Sequence, residues 1–167
     1  MIELTLASPA QTRTFARVLA HHLRPPALIT IEGELGTGKT TLVRAILRAR
    51  GVRGAVTSPS FTLAQSYRGH GGEDLHHLDL YRLAAGVDAE LFAWEDYLGP
   101  RALTFVEWPA AGRAALPSAD LRLLLRHRTP RSRVLSAEGA GSLEAAIAAA
   151  ATVAGLAVRA VAVEAGG

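Results

Sequence analysis

Gly33-Glu34-Leu35-Gly36-Thr37-Gly38-Lys39-Thr40 matches the pattern G-x-x-x-x-G-K-[ST] at every fixed position. Glycines let the backbone curl tightly, so that successive amides point inward at a phosphate. The helix that follows adds the partial positive charge of its N-terminus. In such a loop Lys39 sets a compact cation against the β- and γ-phosphates, and the Thr40 hydroxyl ligates a Mg²⁺ ion bridging them. Thr41 adds a hydroxyl near the α-phosphate. With glycine near 7% of residues, a chance match arises in about one chain of this length in a few hundred.

The flanks agree with that reading. Ala27-Leu28-Ile29-Thr30-Ile31 is a compact apolar run, the pattern of a buried strand. Thr41 to Leu47 has helical periodicity, and Gly51 is placed to end that helix. Farther out, residues 1–6 alternate as a strand does. Ser8-Pro9 opens a helix that runs to about His22 and is stopped by Pro25-Pro26. The spacing predicts a hairpin from Thr57–Tyr67 and Leu75–Leu80 around a Gly-rich turn, a short helix over Asp88–Leu98, a strand over Ala102–Val106, late strands over Asp120–Arg128 and Arg133–Ser136, and an Ala-rich helix over Ser142–Val153. Strands and helices alternate about a glycine-rich turn, so the expected class is α/β with a largely parallel central sheet in a three-layer, P-loop NTPase-like arrangement. No repeat or linker divides the chain, and residues 1–167 read as one domain; 136–167, an Ala-rich helix and tail, carry no assigned function.

The chain has 167 residues, enough to bury a core, and is 49% hydrophobic and 20% charged. It contains no cysteine, which excludes disulfides, thiolate metal sites and cysteine nucleophiles. Of the 18 basic side chains only Lys39 is lysine. A composition that otherwise uses arginine keeps lysine where a compact ammonium is wanted. The same fact leaves no second lysine for the N-K-x-D motif that reads guanine, so adenine is the expected base. A formal charge of +3 points only weakly to an anionic partner. No apolar run is long enough to cross a bilayer and no signal segment is visible, so the expected location is cytoplasmic, without a membrane.

Three further segments narrow the family. Ser58-Pro59-Ser60-Phe61-Thr62-Leu63 follows the loop helix, His77-Leu78-Asp79-Leu80-Tyr81-Arg82-Leu83 ends one strand, and Phe105-Val106-Glu107-Trp108-Pro109 ends another. Together with Gly33–Thr41, in this order, they resemble the TsaE (YjeE) family of small bacterial ATPases needed to form N6-threonylcarbamoyladenosine at position 37 of certain tRNAs. The resemblance covers about Ile2 to Arg133. Ser60 stands where the family usually has threonine, and Ala110 where an acidic or polar residue is common.

The resemblance implies a Mg²⁺-dependent ATPase that supports turnover of partners like TsaB and TsaD, slow alone and stimulated by them; it does not decide whether tRNA touches this chain. It assigns Lys39, Asp79 and Glu107 to catalysis, and Thr40, Glu107 and Asp79 to the metal. Nucleotide contacts fall to Glu34, Leu35, Gly36, Thr37, Gly38, Lys39, Thr40 and Thr41, to Gln11 and Thr12 near the adenine, and to Arg131 from the cluster Arg122–Arg133. Ser58–Thr62 resembles a switch segment that senses the γ-phosphate. Trp108 fits either a structural plug or a packing surface, and Arg82 either a partner contact or a solvated charge. His76 and His77 are neighbours in a strand and point to opposite faces, so they cannot share a zinc ion. Two alternatives stay open from the residues alone: a small-molecule kinase on the same loop, and a module that holds ATP without hydrolysing it.

Overall fold

Strand β2 (Ala27–Gly33) is hydrogen-bonded in parallel on both sides, to β5 (Ala102–Glu107) and to β6 (Leu121–His127). Its first five residues are all buried, which is why its sequence is a continuous apolar run rather than an alternation. The computed structural model describes residues 1–59, 62–81, 93–112 and 115–161. The remaining elements are β1 (Ile2–Leu6), α1 (Pro9–His22), α2 (Lys39–Ala49), β3 (Ala64–Arg68), β4 (Asp74–Asp79), β7 (Arg133–Gly139), α3 (Ser142–Val153) and β8 (Val158–Ala160), with 3-10 turns at Trp94–Tyr97 and Pro109–Gly112. One eight-stranded sheet runs β3-β4-β5-β2-β6-β7-β1-β8. Its centre, β4-β5-β2-β6, is parallel; β3 on one flank and β7, β1 and β8 on the other pair antiparallel.

The register sets the site. Asp79 of β4 lies opposite Glu107 of β5, and Glu107 lies opposite Ile31 of β2. The carboxyl ends of three adjacent parallel strands therefore meet where the phosphate loop leaves β2, the edge at which open α/β sheets place their ligands.

Strand alternation divides the apolar residues between two faces. Ile29 and Ile31 of β2, Phe105 of β5 and Leu123 and Leu125 of β6 join Phe15, Leu19, Leu42, Ile46 and Ile147 in the larger core, so α1, α2 and α3 all cover one face. Leu28, Leu78, Leu80 and Val106 face the other way, onto Trp94. Among the described residues that third layer is built of 3-10 turns and the segment 115–120 rather than of an α-helix.

Most predicted elements are in place, with three differences. The expected helix over Asp88–Leu98 falls partly outside the described residues, and Trp94–Tyr97 forms a single 3-10 turn. Strand β2 continues past Ile31 to Gly33, because β6 pairs with it as far as Gly33. The tail beyond α3 contributes β8, whose three exposed residues pair with Ile2, Glu3 and Leu4; backbone pairing to an available edge formed it, and apolar patterning did not mark it. Helix α1 begins as read from Ser8-Pro9. The Ser8 hydroxyl accepts from the Gln11 amide at 3.2 Å, and Gln11 Oε1 accepts from the Ala7 amide at 2.7 Å, a reciprocal cap of the S-x-x-Q kind. No helix among the described residues is long and apolar enough to cross a membrane.

Phe15 is fully buried where α1 meets the sheet. Phe15→Ala should lower unfolding free energy by about 3–5 kcal/mol in urea denaturation. An unchanged midpoint would contradict this packing.

Candidate functional site

The phosphate loop bends through three glycines at positive φ: Gly33 at 142°, Gly36 at 76° and Gly38 at 102°. At Gly33 the constraint is also spatial, because a Cβ would collide with the Leu125 carbonyl oxygen of β6. Gly38 is the N-cap of α2 and offers no side-chain oxygen to the first amides of the helix. Those donors are left for an anion, and the helix dipole favours one there.

Lys39 is nearly buried, at 5% exposure. Its Nζ donates to the Gly33 carbonyl at 2.8 Å and to the Glu34 carbonyl at 2.9 Å, and lies 3.7 Å from the centre of the Trp108 ring. Burial pushes its pKa below the ordinary lysine value, and the negative charges of Glu107 and Asp79 partly oppose that shift. Trp108 holds its place with a φ of 59° and also stacks at a tilt on Tyr81, with ring centres 4.8 Å apart. The indole is thus packed inside the site, against Lys39.

Both carboxylates are fixed by neighbours. Glu107, 1% exposed, accepts from the Thr40 hydroxyl at 2.9 Å on Oε2, and its Oε1 is 2.7 Å from His77 Nε2. Asp79 Oδ2 accepts from the Ser58 hydroxyl at 2.8 Å, and Oδ1 from the Tyr81 amide at 3.1 Å. The structure therefore brings Lys39, Thr40, Asp79 and Glu107 together, with Ser58 of the switch-like segment. Ser60, Phe61 and Arg82 lie outside the described residues. Lys39, Thr40, Ser58, Asp79 and Glu107, with Leu35, Gly36, Gly38, Thr41, Tyr81 and Trp108, line a cleft of about 330 Å³.

The donor set suits Mg²⁺. Among the described residues no group of three or more His, Cys, Asp or Glu side chains could hold a metal by itself. One hydroxyl and two carboxylates, all oxygen ligands, are what a Mg²⁺ site shared with phosphates and water needs from the protein.

A second, smaller cleft of about 120 Å³ opens on the other side of the loop and is lined by Pro9, Thr12, Gly36, Thr37, Gly38, Thr41, Arg131 and Arg133. Thr12 and Arg131 are thus where a nucleotide lying across the loop would extend. Gln11 does not line this cleft; its Oε1 accepts from the Ala7 amide in the α1 cap. Glu34 contributes its carbonyl, which accepts from Lys39 and from the Thr37 hydroxyl at 2.9 Å, and Leu35 is 77% exposed at the rim.

Two residues have roles that the sequence did not single out. His77, fully buried, is the partner of Glu107, whereas His76 faces Ser66 on the other side of β4, its Nδ1 2.8 Å from that hydroxyl. The two imidazoles face opposite sides of the strand, as alternation predicts, and His77 is tied to the site; its two-residue offset from Asp79 in the same strand is the signal of that shared face. Arg133 spans the β6–β7 turn and the phosphate loop: it donates to the Thr37 carbonyl at 3.0 Å and the Gly36 carbonyl at 3.1 Å, and also to the Thr129 and Ser132 carbonyls. Nothing in the spacing of the arginine cluster separated it from Arg131.

Comparison with known proteins places this site in a family. The family model described as threonylcarbamoyl adenosine biosynthesis protein TsaE matches residues 6–135. The TsaE protein of Streptomyces coelicolor is 41% identical over 112 residues, covering 66% of this chain and 76% of the relative. That of Haemophilus influenzae is 36% identical over 110 residues, covering 65% and 69%. The crystal structure of Bacillus subtilis YdiB superposes with a TM-score of 0.74 at 23% identity, covering 92% of this chain and 97% of that one, a likeness of fold. Matched over most of its length and over every motif of the two clefts, the chain belongs to the TsaE family of tRNA threonylcarbamoyladenosine biosynthesis proteins.

Proposed function

We propose that this chain is a Mg²⁺-dependent ATP hydrolase whose turnover supports tRNA threonylcarbamoyl transfer by partners like TsaB and TsaD. The observation that carries the reading is the convergence of Lys39, Thr40, Asp79 and Glu107 on one side of an amide-lined loop at the ends of three parallel strands. The open amides at the start of α2 and the Lys39 ammonium bind the β- and γ-phosphates. Thr40 and Glu107 hold Mg²⁺ and Asp79 completes the set; the ion, when bound, neutralises phosphate charge. His77 keeps Oε1 of Glu107 engaged, which leaves Oε2 turned toward Thr40. Ser58 couples the segment after α2 to Asp79, so that segment responds to what occupies the cleft. Thr12 and Arg131 receive the nucleoside end.

The same geometry predicts slow hydrolysis by the isolated chain. Among the described residues no arginine lines the larger cleft. An arginine supplied by a partner at the γ-phosphate accelerates such reactions by roughly 10³–10⁵. Phosphate release should therefore be slow for the purified chain, rise sharply with TsaB- and TsaD-like partners, and vanish in Lys39→Ala under both conditions. Equal rates with and without partners, or a fully active Lys39→Ala, would defeat the proposal, as would transfer of phosphate to a small alcohol faster than to water.

Thr40→Ala should move the Mg²⁺ dependence of hydrolysis to higher concentration while metal-free nucleotide binding changes little. An unaltered metal titration would remove Thr40 from the metal shell.

The lowered pKa of Lys39 gives a signed pH effect. The charged form binds phosphate, so ATP affinity should be flat at neutral pH and fall as pH rises through the Lys39 pKa, with a midpoint below that of an ordinary lysine. Titration of a fluorescent ATP analogue across alkaline pH reads this directly. A midpoint at or above the ordinary value would contradict the buried environment of the ammonium.

A further inference from the structure

Helices α1 and α2 contain no acidic residue in twenty-five positions of sequence, PAQTRTFARVLAHH and KTTLVRAILRA. Where they pack side by side, Arg13 and Arg17 of α1 and Arg44 and Arg48 of α2 line an outward groove of about 450 Å³. All four arginines are exposed, and none has a carboxylate within 4.0 Å among the described residues. Four arginines elsewhere do have carboxylate partners: Arg50 pairs with Glu73, Arg68 with Asp74, Arg122 with Glu138 and Arg126 with Glu3. In the groove the guanidinium groups are instead held by neutral acceptors. Arg44 Nε donates to the Val56 carbonyl at 2.6 Å, Arg48 Nη1 to the Val52 carbonyl at 3.4 Å, and Arg17 Nη2 to the Thr14 hydroxyl at 3.2 Å. Arg17, Arg44 and Arg48 are each anchored by one such bond, and the charge and outer N–H groups of all four arginines stay available.

We infer that this groove binds the phosphodiester backbone of an RNA. Arginines four residues apart stand about 6 Å apart along each helix, and packed helices lie about 8–10 Å apart. This two-by-two array suits successive phosphates, each met by a planar fork of donors. The other lining side chains are alanine and threonine. A protein partner would need large apolar anchors to bind stably, and the groove has none. A phosphate backbone needs only charge and hydrogen bonds. The relatives of this chain are also named for the biosynthesis of a modified tRNA nucleoside. Thr41 lines both this groove and the phosphate-loop cleft, so the RNA would lie beside the nucleotide site without entering it.

Fluorescence anisotropy of a labelled, unmodified tRNA transcript against the full chain, between about 50 and 200 mM salt, tests this. Four phosphate contacts predict a slope of log affinity against log salt of about −3. Arg13→Glu combined with Arg17→Glu should weaken binding at least about tenfold and make the slope shallower by about two. Arg44→Gln combined with Arg48→Gln should act in the same direction. Thermal midpoints and ATP binding should match those of the unaltered chain, which separates loss of the groove from loss of the fold. Lys39→Ala should keep tRNA binding, so this inference and the ATPase proposal fail separately. The inference is overturned if the unaltered chain does not bind tRNA in low salt, if the groove variants keep its affinity and slope, or if they lose binding of polyglutamate while tRNA binding is untouched, which would mark an acidic protein as the occupant.

Discussion

A carboxylate buried to 1% exposure must be paired on both oxygens or it destabilises the fold, and Glu107 meets that condition through residues from two other elements. His77 Nε2 sits at Oε1 and the Thr40 hydroxyl at Oε2, so β4, β5 and the first turn of α2 are held to one point. Parallel registration does the rest. Once Asp79 stands opposite Glu107, and Glu107 opposite Ile31, the loop that leaves β2 must pass over both carboxylates. Core packing and site geometry are the same constraint seen from its two ends, since Ile31 and Phe105 in the core belong to the strands whose tips carry the chemistry.

The phosphate loop is also braced from outside. Arg133 binds the Gly36 and Thr37 carbonyls, and Lys39 binds those of Gly33 and Glu34. With the carbonyl oxygens turned toward cations, the amides of the same peptide units face the other way, which is the orientation an anion requires. The two braces differ in one respect. Arg133 is anchored by the β6–β7 turn and also bonds Thr129 and Ser132, so its contacts belong to the scaffold. Lys39 bonds only its own loop and the Trp108 ring, and its ammonium can exchange carbonyls for phosphate without disturbing the sheet.

Local patterns were legible and long-range partnerships were not. The loop, the buried run of β2, the Ser8 cap and the late α3 each follow from residues close together in sequence, where turn chemistry and periodicity act directly. The meeting of Asp79 with Glu107 could be expected only through resemblance, because strand order is not written in any one segment. The role of His77 was not legible because its partner lies 30 residues away. Gln11, assigned to nucleotide by likeness, also caps its own helix, and the S-x-x-Q spacing behind that cap was visible in the sequence. The one-sided placement of α1, α2 and α3 was equally hidden, since the amphipathic period of a helix names its buried face but not the face of the sheet that receives it.

The distribution of arginine ties these points together. Because lysine occurs once, the basic residues that remain share one chemistry, and the structure sorts them by what opposes them. Arg133 faces carbonyls and stiffens the loop; Arg50 and Arg126 face carboxylates and close the surface. Arg13, Arg17, Arg44 and Arg48 face solvent, and none enters the larger cleft. Among the described residues no guanidinium lines that cleft, so in the proposed hydrolysis the charge that assists cleavage would come from another molecule. On that proposal, the exposed rim formed by Leu35 and Tyr81 beside the cleft is where such a molecule would make contact without displacing anything from the core.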